Sequence, residues 1–454
     1  MTLLTPLMRG TALTSEFSDI QLLQGMLDFE AALARAQAAC GVIPATAVGP
    51  ITQACHAQEF DRQALAESAR AAGNLAIPLV QHLTARVKRE DPDAARYVHW
   101  GATSQDVIDT GLVLQLRVAL NHTQCALSQL TAVFAQQAHR YQHTVMPGRT
   151  WMQQALPVTW GLKLAGTLDA LLRWQERLQS LLPRVLLLQF GGAAGTLASL
   201  GQNALPVAER LAQELALTLP DTPWHTQRDR LLEVGAWYAG VGGTLGKFAQ
   251  DFALLMQTEV AEVSEPAVAG RGGSSAMPHK RNPVSCAAIL TAMQKTPGLM
   301  ATLYNSQLQQ HERALGGWQA EWEVLPEIVM LVGHAIEETQ SLVLNMQVFP
   351  QKMRDNLDIT QGLMMAESVT LALAAFIGKQ DAHHLIERLC HRAVTSGHSL
   401  HSVLVEEPQV MAHLNESQLV ALLDPGTATG CAAQFVQRVL ARYEEQQHGT
   451  ELPD

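Results

Sequence analysis

One loop of the sequence concentrates side chains that are suited to stabilising negative charge. Residues 270–283 read GRGGSSAMPHKRNP and contain two hydroxyls, Ser274 and Ser275, a cation, Lys280, and an amide, Asn282. The glycines predict a mobile loop between two helices. Glycines and serines alone would fit an ordinary surface loop, but a Met-Pro pair followed by lysine and asparagine would not. A cation and an amide donor in one loop are typical of sites that stabilise a developing anion.

This loop resembles the signature GSSxMPxKxNP of the fumarase/aspartase superfamily, which is long and specific. Three other stretches are similar to further blocks of that superfamily and follow in the same order: residues 101–106 (GATSQD), 191–199 (GGAAGTLAS) and 310–313 (QHER). The resemblance covers the whole chain. It implies an all-α, three-domain fold with a central bundle of long helices, a homotetramer, and active sites shared between subunits.

The resemblance also implies a role for each polar residue of the loop. Ser274 would remove a proton alpha to a substrate carboxylate, and Lys280 and Asn282 would stabilise the aci-carboxylate that forms. Such an anion needs preorganised positive charge, a closing loop excludes water, and serine is a weak base unless its site activates it. The candidates for substrate binding lie in the same matched regions: His99, Thr103, Ser104, Arg149, Trp151, Gln153, Ser275, Met277 and Arg313. For Arg149 a structural ion pair is the competing interpretation, and the role of His311 stays open.

The sequence departs from the superfamily pattern at two coupled positions. Relatives carry a T-H-x-Q motif, whose histidine helps to protonate the leaving group, and many carry a glutamate that pairs with this histidine. The matching positions here hold Trp151 and Ala287. Loss of both partners favours a reaction whose leaving group needs no general acid.

A cycloisomerisation meets this condition. In it, one carboxylate of a small tricarboxylate adds to a double bond of the same molecule, so the leaving group of the reverse reaction is a carboxylate with a pKa of about 4. Candidates to hold the three negative charges are His99, Arg149, Lys280 and Arg313. Two alternatives are a lyase of the adenylosuccinate or argininosuccinate type that releases fumarate, and a non-catalytic structural relative. The missing pair argues against the first alternative, and the intact loop argues against the second.

The elements that must position these residues are helices. Apolar residues recur at helical spacing over residues 20–40, 110–143, 158–182, 229–263, from about 283 to beyond 303, and 322–346. The last five segments are apolar on more than one side, which is typical of helices inside a bundle or at a subunit interface. Sustained two-residue alternation is absent from the sequence, so we predict little sheet. Breaks near residues 110 and 350 predict an N-terminal helical domain (1–110), a central long-helix bundle (111–350) and a C-terminal helical domain (351–454).

Composition excludes several classes of protein. The 454 residues are 47% hydrophobic and carry a net charge of −11, which fits a folded globular chain and gives no support to nucleic-acid binding. The N-terminus lacks the basic and apolar regions of a signal peptide. The uncharged stretch 185–208 contains several glycines and amides, so it is not predicted to cross a membrane. We therefore expect a soluble, cytoplasmic protein.

We expect no cofactor and no metal. The six cysteines do not have the spacing of zinc ligands. Residues 240–247 (GVGGTLGK) match neither a Walker A loop nor a dinucleotide fingerprint, and we interpret their glycines as sites of close helix packing. Asp381, His383, His384 and Glu387 lack a further ligand and are predicted to form a solvated helix face.

Overall fold

The computed structural model describes residues 3–266, 270–274, 276–277 and 279–450. Ser275, one of the predicted substrate-binding residues, lies outside this described part. The described residues are mainly helical, as predicted.

The α-helices fall into three groups along the chain. Six precede the first matched block: α1 (Thr5–Met8), α2 (Thr11–Glu16), α3 (Asp19–Ala39), α4 (Val48–Ala54), α5 (Arg62–Ala72) and α6 (Ala76–Glu90). The middle of the chain forms α7 (Ser104–Arg140), α8 (Trp160–Val185), α9 (Ala204–Leu215), α10 (Asp229–Leu255), α11 (Val284–Asn305) and α12 (Gly317–Asn345). The C-terminal part forms α13 (Pro350–Leu357), α14 (Ala366–Ile377), α15 (Lys379–Ser396), α16 (Leu400–Val405), α17 (Pro408–Met411), α18 (Glu416–Leu422) and α19 (Ala432–Thr450). Short 3-10 helices cover Ala45–Ala47, Ala57–Glu59, Ala94–Tyr97, Ala198–Asn203, Asp358–Thr360, Leu363–Met365 and Pro425–Thr427.

The predicted long helices are confirmed as α7, α8, α10, α11 and α12. Their apolar stripes are buried; in α7 the fully buried positions include Leu116, Leu120, Leu127 and Phe134, which recur at helical spacing. Truncation of such a leucine to alanine typically costs about 2–5 kcal/mol. Three predicted ends were wrong: α7 already begins at Ser104, α12 already begins at Gly317, and α10 ends at Leu255, before a turn in which Ala261 has a left-handed backbone (φ 49°).

The chain divides into two compact units. Unit 1 comprises Met1–Ser128, Arg173–Gly246 and Ala288–Glu338, and unit 2 comprises Gln129–Leu172, Lys247–Ala287 and Thr339–Asp454. Each unit draws on three segments of the chain, because the division falls inside all five long helices. Unit 2 has a core of its own in its C-terminal part, where apolar side chains of α14, α15, α16 and α18 are buried together. The three-domain division in chain order stays a prediction.

The glycines of residues 240–247 allow close packing inside unit 1, as predicted. A Cβ atom added at Gly240 would lie 2.2 Å from the Trp174 ring, and one at Gly242 or Gly246 would lie 2.2 or 2.6 Å from Met293. Larger residues would therefore clash at these three positions, which explains three of the four glycines without a bound nucleotide; an added Cβ at Gly243 would meet nothing within 4 Å.

Four strands were not predicted. In unit 2, β1 (Val145–Thr150) pairs antiparallel with β2 (Gln153–Thr159), with Thr150 opposite Gln153 and a bulge after Pro147. Two shorter strands, β3 (Val263–Ser264) and β4 (Gln347–Val348), also pair antiparallel in unit 2. Prolines and a glycine interrupt the two-residue alternation of the β1–β2 hairpin, so its sequence carries no clear strand signal.

Within the described part of the chain, no single helix is both long and apolar enough to cross a membrane. One pair of helical segments, residues 350–360 and 363–377, meets the length and composition criteria together but is bent by 78°.

Candidate active site

The carboxylate of Asp106 joins the first turn of α7 to the glycine-rich loop in unit 1. It accepts hydrogen bonds from the backbone N–H groups of Thr103 (3.1 Å), Gly191 (3.0 Å) and Gly192 (2.9 Å), and from the side-chain amide of Gln189 (3.3 Å). Asp106 is fully buried. Burial raises its pKa to about 6, although the backbone donors lower it. The group is therefore ionised at neutral pH and holds the loop.

Thr103 and Ser104 lie where α7 begins, as the matched block predicts. The carboxylate of Asp106, three residues further on, accepts the backbone N–H of Thr103, which is one half of a capping box at the start of the helix. Both side chains are half-buried. Hydroxyl groups at the N-terminus of a 37-residue helix are well placed to bind an anion.

Arg313 braces the glycine-rich loop from the opposite side. Its guanidinium donates to the carbonyl oxygens of Gly192 and Ala193 (3.0 Å for Ala193) and to Oε1 of Gln105 (2.6 Å). Burial lowers the pKa of this guanidinium, and the nearby Asp106 and Asp109 carboxylates oppose that effect. Arg313 thus fixes the loop in this structure, and its predicted contact with substrate stays a proposal.

His99 lies just before the start of α7 and contacts a carboxylate that the sequence did not indicate. Its Nδ1 lies 2.6 Å from Oε1 of Glu30, in the middle of α3. The Glu30 side chain is 1% exposed and that of His99 is 18% exposed. Burial alone would lower the pKa of His99, but Glu30 and the more distant Asp106 raise it above its usual value.

Two further groups in unit 1 were missed in the sequence. His225 is 7% exposed and packs against Gly195, where an added Cβ would lie 2.5 Å from the imidazole. Burial lowers the pKa of His225, so this ring is neutral at neutral pH. Arg228 is buried between Asp109 (2.6 and 3.0 Å) and Glu321, to which it also donates. Nothing in the local sequence identifies these residues, because their partners lie far away along the chain.

In unit 2, Arg149 forms a buried ion pair at the β1–β2 hairpin. Its two terminal nitrogens donate to Glu262, at 3.0 and 2.6 Å, and Glu262 is completely buried. Glu262 also accepts from Nδ2 of Asn356 at 2.8 Å. Of the two interpretations of Arg149, the structure shows the ion pair; substrate binding by its remaining surface stays a proposal.

The tip of the hairpin presents Trp151 on a strained turn. Trp151 and Met152 both have left-handed backbones, with φ of 52° and 66°, and their side chains are 95% and 76% exposed. Two positive φ values are typical of the type I′ turn that joins two-residue hairpins, where Asn and Gly are the usual residues. Gln153 follows and is also exposed. The tip therefore presents three side chains outward from unit 2.

The signature loop, also in unit 2, closes at its base and holds the oxygen of Ser274. Asn282 donates its backbone N–H to the carbonyl of Gly272 (2.8 Å), next to the antiparallel bridge between Gly273 and Arg281. Above this base, Oγ of Ser274 accepts from the backbone N–H groups of Ala276 (3.4 Å) and Met277 (3.1 Å).

Two backbone donors on one hydroxyl oxygen favour the ionised form of that serine. Lys280 and Met277, further along the same loop, are exposed. These backbone donors therefore stabilise the Ser274 oxygen when it carries negative charge, and Lys280 can place positive charge beside a ligand.

Two carboxylates fix the segments on either side of this loop. Glu262 precedes the loop and binds the hairpin through Arg149. Glu265 accepts from the backbone N–H groups of Ser285 (3.1 Å) and Cys286 (2.9 Å), which belong to the first turn of α11 after the loop. The ends of the loop are therefore held by buried acids that are three residues apart in sequence.

The predicted site residues thus fall into two groups, one in each unit. Unit 1 holds His99, Thr103, Ser104 and Arg313. Unit 2 holds Arg149, Trp151 and Gln153 on the hairpin and Ser274, Met277, Lys280 and Asn282 on the loop. His311 lies in the turn between α11 and α12, is exposed and has a left-handed backbone (φ 47°).

A cavity in unit 1 lies away from the predicted site residues. It has a volume of about 710 Å³ and is lined mainly by apolar residues such as Met26, Leu112 and Met330, with Arg9 and Glu327 paired at its wall. Its described lining contains no predicted site residue. Across the described residues, no group of three or more His, Cys, Asp or Glu side chains is arranged to hold a metal ion.

The fold of long helices and the serine-lysine-asparagine loop define a class of protein: the chain belongs to the fumarase/aspartase superfamily of lyases. The lyase family matches residues 6–298, and the adenylosuccinate lyase C-terminus matches residues 362–439.

Within this superfamily, the chain is similar to enzymes whose names specify the same substrate, 3-carboxy-cis,cis-muconate. It is 56% identical to 3-carboxy-cis,cis-muconate cycloisomerase of Pseudomonas aeruginosa, over 94% of this chain and 93% of that protein. It is 51% identical to the enzyme of the same name from Bradyrhizobium diazoefficiens, over 97% and 98%. The crystal structure of 3-carboxy-cis,cis-muconate lactonizing enzyme from Pseudomonas putida matches with a TM-score of 0.94 at 50% identity, covering 98% of this chain and 99% of that chain.

Proposed function

We propose that this protein is a 3-carboxy-cis,cis-muconate cycloisomerase. It converts 3-carboxy-cis,cis-muconate to 4-carboxymuconolactone, without a cofactor, in the protocatechuate branch of the β-ketoadipate pathway. The observation that carries this proposal is the hairpin tip, where Trp151 stands in place of the superfamily's general-acid histidine while the serine loop is intact. The similar proteins with this name support it.

The reaction needs one C–O bond and one C–H bond to form. An ionised carboxylate of the substrate adds to its own double bond, and the electron pair of that bond moves toward another carboxylate as an aci-carboxylate. Lys280 and Asn282 stabilise this anion. Ser274 then donates its proton to the carbon, and its oxygen keeps the electron pair.

The backbone of the loop stabilises the serine oxyanion that remains. The N–H groups of Ala276 and Met277 already donate to this oxygen, so little reorganisation is needed when the charge develops. A proton from water restores the serine, which accounts for the one proton that the trianionic substrate takes up. The attacking group is ionised at neutral pH, so the step needs no histidine.

Binding a tricarboxylate requires several donors. His99 and the hydroxyls of Thr103 and Ser104 are proposed to bind one carboxylate at the start of α7. Arg313, beside the glycine-rich loop, and Arg149, on the hairpin, are proposed to add positive charge. Ser275, Met277, Trp151 and Gln153 complete the proposed set of substrate contacts.

We also propose that the protein works as a homotetramer in the cytoplasm, with each active site built from several subunits. Trp151 is 95% exposed in the single subunit. This exposure supports the assembly, because a partner subunit would cover the indole. Light scattering tests the assembly: a fully active monomer would contradict shared sites.

The activity is tested by mixing the purified protein with 3-carboxy-cis,cis-muconate and following the loss of its conjugated-diene absorbance. Adenylosuccinate and argininosuccinate are run in parallel, because residues 362–439 match the C-terminal part of adenylosuccinate lyase. Loss of diene absorbance with no fumarate release supports the proposal. Fumarate release alone would assign a lyase, and no reaction with any substrate would assign a non-catalytic relative. Activity is expected to survive exhaustive chelation.

A further inference from the structure

We infer that Glu30 is a positioning residue of the active site, which keeps the His99 imidazole charged and directs its Nε2–H toward a substrate carboxylate. Glu30 lies in α3, outside every block that matches the superfamily signature. The inference uses the proposed function only for the identity of the ligand.

The first support is the burial of Glu30. Its side chain is 1% exposed, and its Oε1 accepts a hydrogen bond from Nδ1–H of His99 at 2.6 Å. Its other oxygen, Oε2, is buried and has no hydrogen-bond partner among the described residues. A buried carboxylate with so few donors is strongly destabilised unless its partner is a cation. The folded state of this pair therefore favours imidazolium over neutral imidazole.

The second support is the backbone around His99. His99 has a left-handed conformation (φ 59°), which is uncommon outside glycine and marks a position fixed by its surroundings. The next residue, Trp100, accepts a hydrogen bond at its carbonyl from Nε2 of Gln37 (2.6 Å). Glu30 and Gln37 are two helical turns apart and share one face of α3. This face therefore holds both the ring and the main chain of the His99 turn.

The third support is the direction of the free donor. Because Nδ1 faces Glu30, Nε2 is the ring atom that remains for a ligand, and the side chain keeps 18% exposure. The charged groups that act on the ring are Glu30 from α3 and Asp106 from α7, and both raise the pKa of His99. A charged N–H donor bound to a carboxylate is stronger than a neutral one.

This arrangement is a histidine–glutamate pair at a different place from the one that the superfamily motif would supply. The motif pair would sit at Trp151 and Ala287, and it protonates a leaving group. The Glu30–His99 pair instead serves to bind an anion, because its strong carboxylate partner opposes loss of the proton.

The test compares Glu30→Gln and Glu30→Asp with a matched control, Glu337→Gln. Glu337 also contacts a histidine in unit 1, Nε2 of His122 at 3.1 Å, but both of these side chains are more than 30% exposed. Histidine NMR titration of ¹⁵N-labelled protein gives the pH at which His99 loses its proton, and steady-state kinetics give KM and kcat for 3-carboxy-cis,cis-muconate.

In Glu30→Gln, His99 is expected to titrate at lower pH, and KM at pH 8 should rise about tenfold or more while kcat changes less. The KM difference should shrink below the new titration point, where the ring is charged again. Glu30→Asp should shift the His99 titration and KM by intermediate amounts. If the glutamine variant does not fold, the aspartate variant provides the test. The control Glu337→Gln should change neither the His99 titration nor KM. An unchanged His99 titration, or an unchanged KM, in the folded Glu30 variants would overturn the inference.

The two proposals fail in distinguishable ways. If the parent protein does not act on 3-carboxy-cis,cis-muconate, the proposed function fails, while the NMR titration still measures the effect of Glu30 on His99. If the parent protein is active and the Glu30 variants behave like it, only the role of Glu30 is wrong.

Discussion

Arg149 and Glu262 are 113 residues apart in sequence and form a two-pronged ion pair, with nitrogen–oxygen distances of 3.0 and 2.6 Å. Glu262 is fully buried and begins the segment that leads into the serine loop. The hairpin that carries Trp151 and the approach to the loop that carries Ser274 are thereby fixed to each other within unit 2.

Breaking this ion pair should reduce stability more than substrate affinity. Arg149→Met leaves a buried, uncompensated carboxylate and is expected to cost about 3–5 kcal/mol. Arg392→Met breaks an exposed pair with Glu406 and should cost less than about 1 kcal/mol. Denaturant unfolding of the two variants measures this difference. A raised KM with unchanged stability would instead make Arg149 mainly a substrate ligand.

The loop cation is expected to be needed for the chemical step. Lys280→Met should lower kcat by about 100-fold or more, which corresponds to about 3 kcal/mol of transition-state stabilisation. Arg281→Met is the matched control, because it removes the adjacent exposed cation, whose described contact is with Gln347. Stopped-flow or steady-state rates on 3-carboxy-cis,cis-muconate decide the point. A Lys280→Met rate within twofold of the parent rate would assign the lysine a structural role only.

Restoring the superfamily histidine should not accelerate the reaction. Trp151→His is expected to slow lactonisation, because a smaller and more hydrated ring would cover the planar diene less well. The double variant Trp151→His/Ala287→Glu restores both partners and tests whether the pair matters. Lactonisation rates and fumarate release from adenylosuccinate are measured for the parent and both variants. Faster lactonisation by the double variant would show that the missing pair does not reflect the substrate.

Asp106 should make the protein less stable as pH rises through the weakly acidic range. Its pKa is raised to about 6 in the folded state, against a usual value near 3.8, so the folded state binds more protons between these values. Stability from this group is therefore lost from about pH 4 to pH 6, by up to about 3 kcal/mol. The unfolding free energies of the parent and of Asp106→Asn are measured at both pH values. The stability of the parent relative to the variant should fall from the lower pH to the higher one. A constant difference would contradict the raised pKa.

The parts of the fold that depend on local patterns could be predicted from the sequence. The long helices follow from apolar residues at fixed spacing, and the serine loop follows from contiguous residues. The partners of the site residues could not be predicted in this way. Glu30 lies 69 residues from His99, and no spacing rule connects two helix or loop positions that meet only after folding.

The β1–β2 hairpin shows the same limit for strands. Pro147, Gly148 and Pro157 interrupt its alternation, so local propensity argues against a strand. Tertiary contacts of Arg149 and Gln154, with Glu262 and the backbone of Asn356, support it instead. Long-range contacts of this kind are not visible in the local sequence.

The exposed hairpin tip also bears on how specificity can change during evolution. Trp151 contributes almost nothing to the packing of its own chain, since 95% of its surface is open there. A residue at this position can therefore be replaced without disturbing a folded core, and most mutations elsewhere in a protein do not have that freedom. Selection for folding of the subunit is therefore weak at position 151, so the requirements of the substrate are free to determine the residue there.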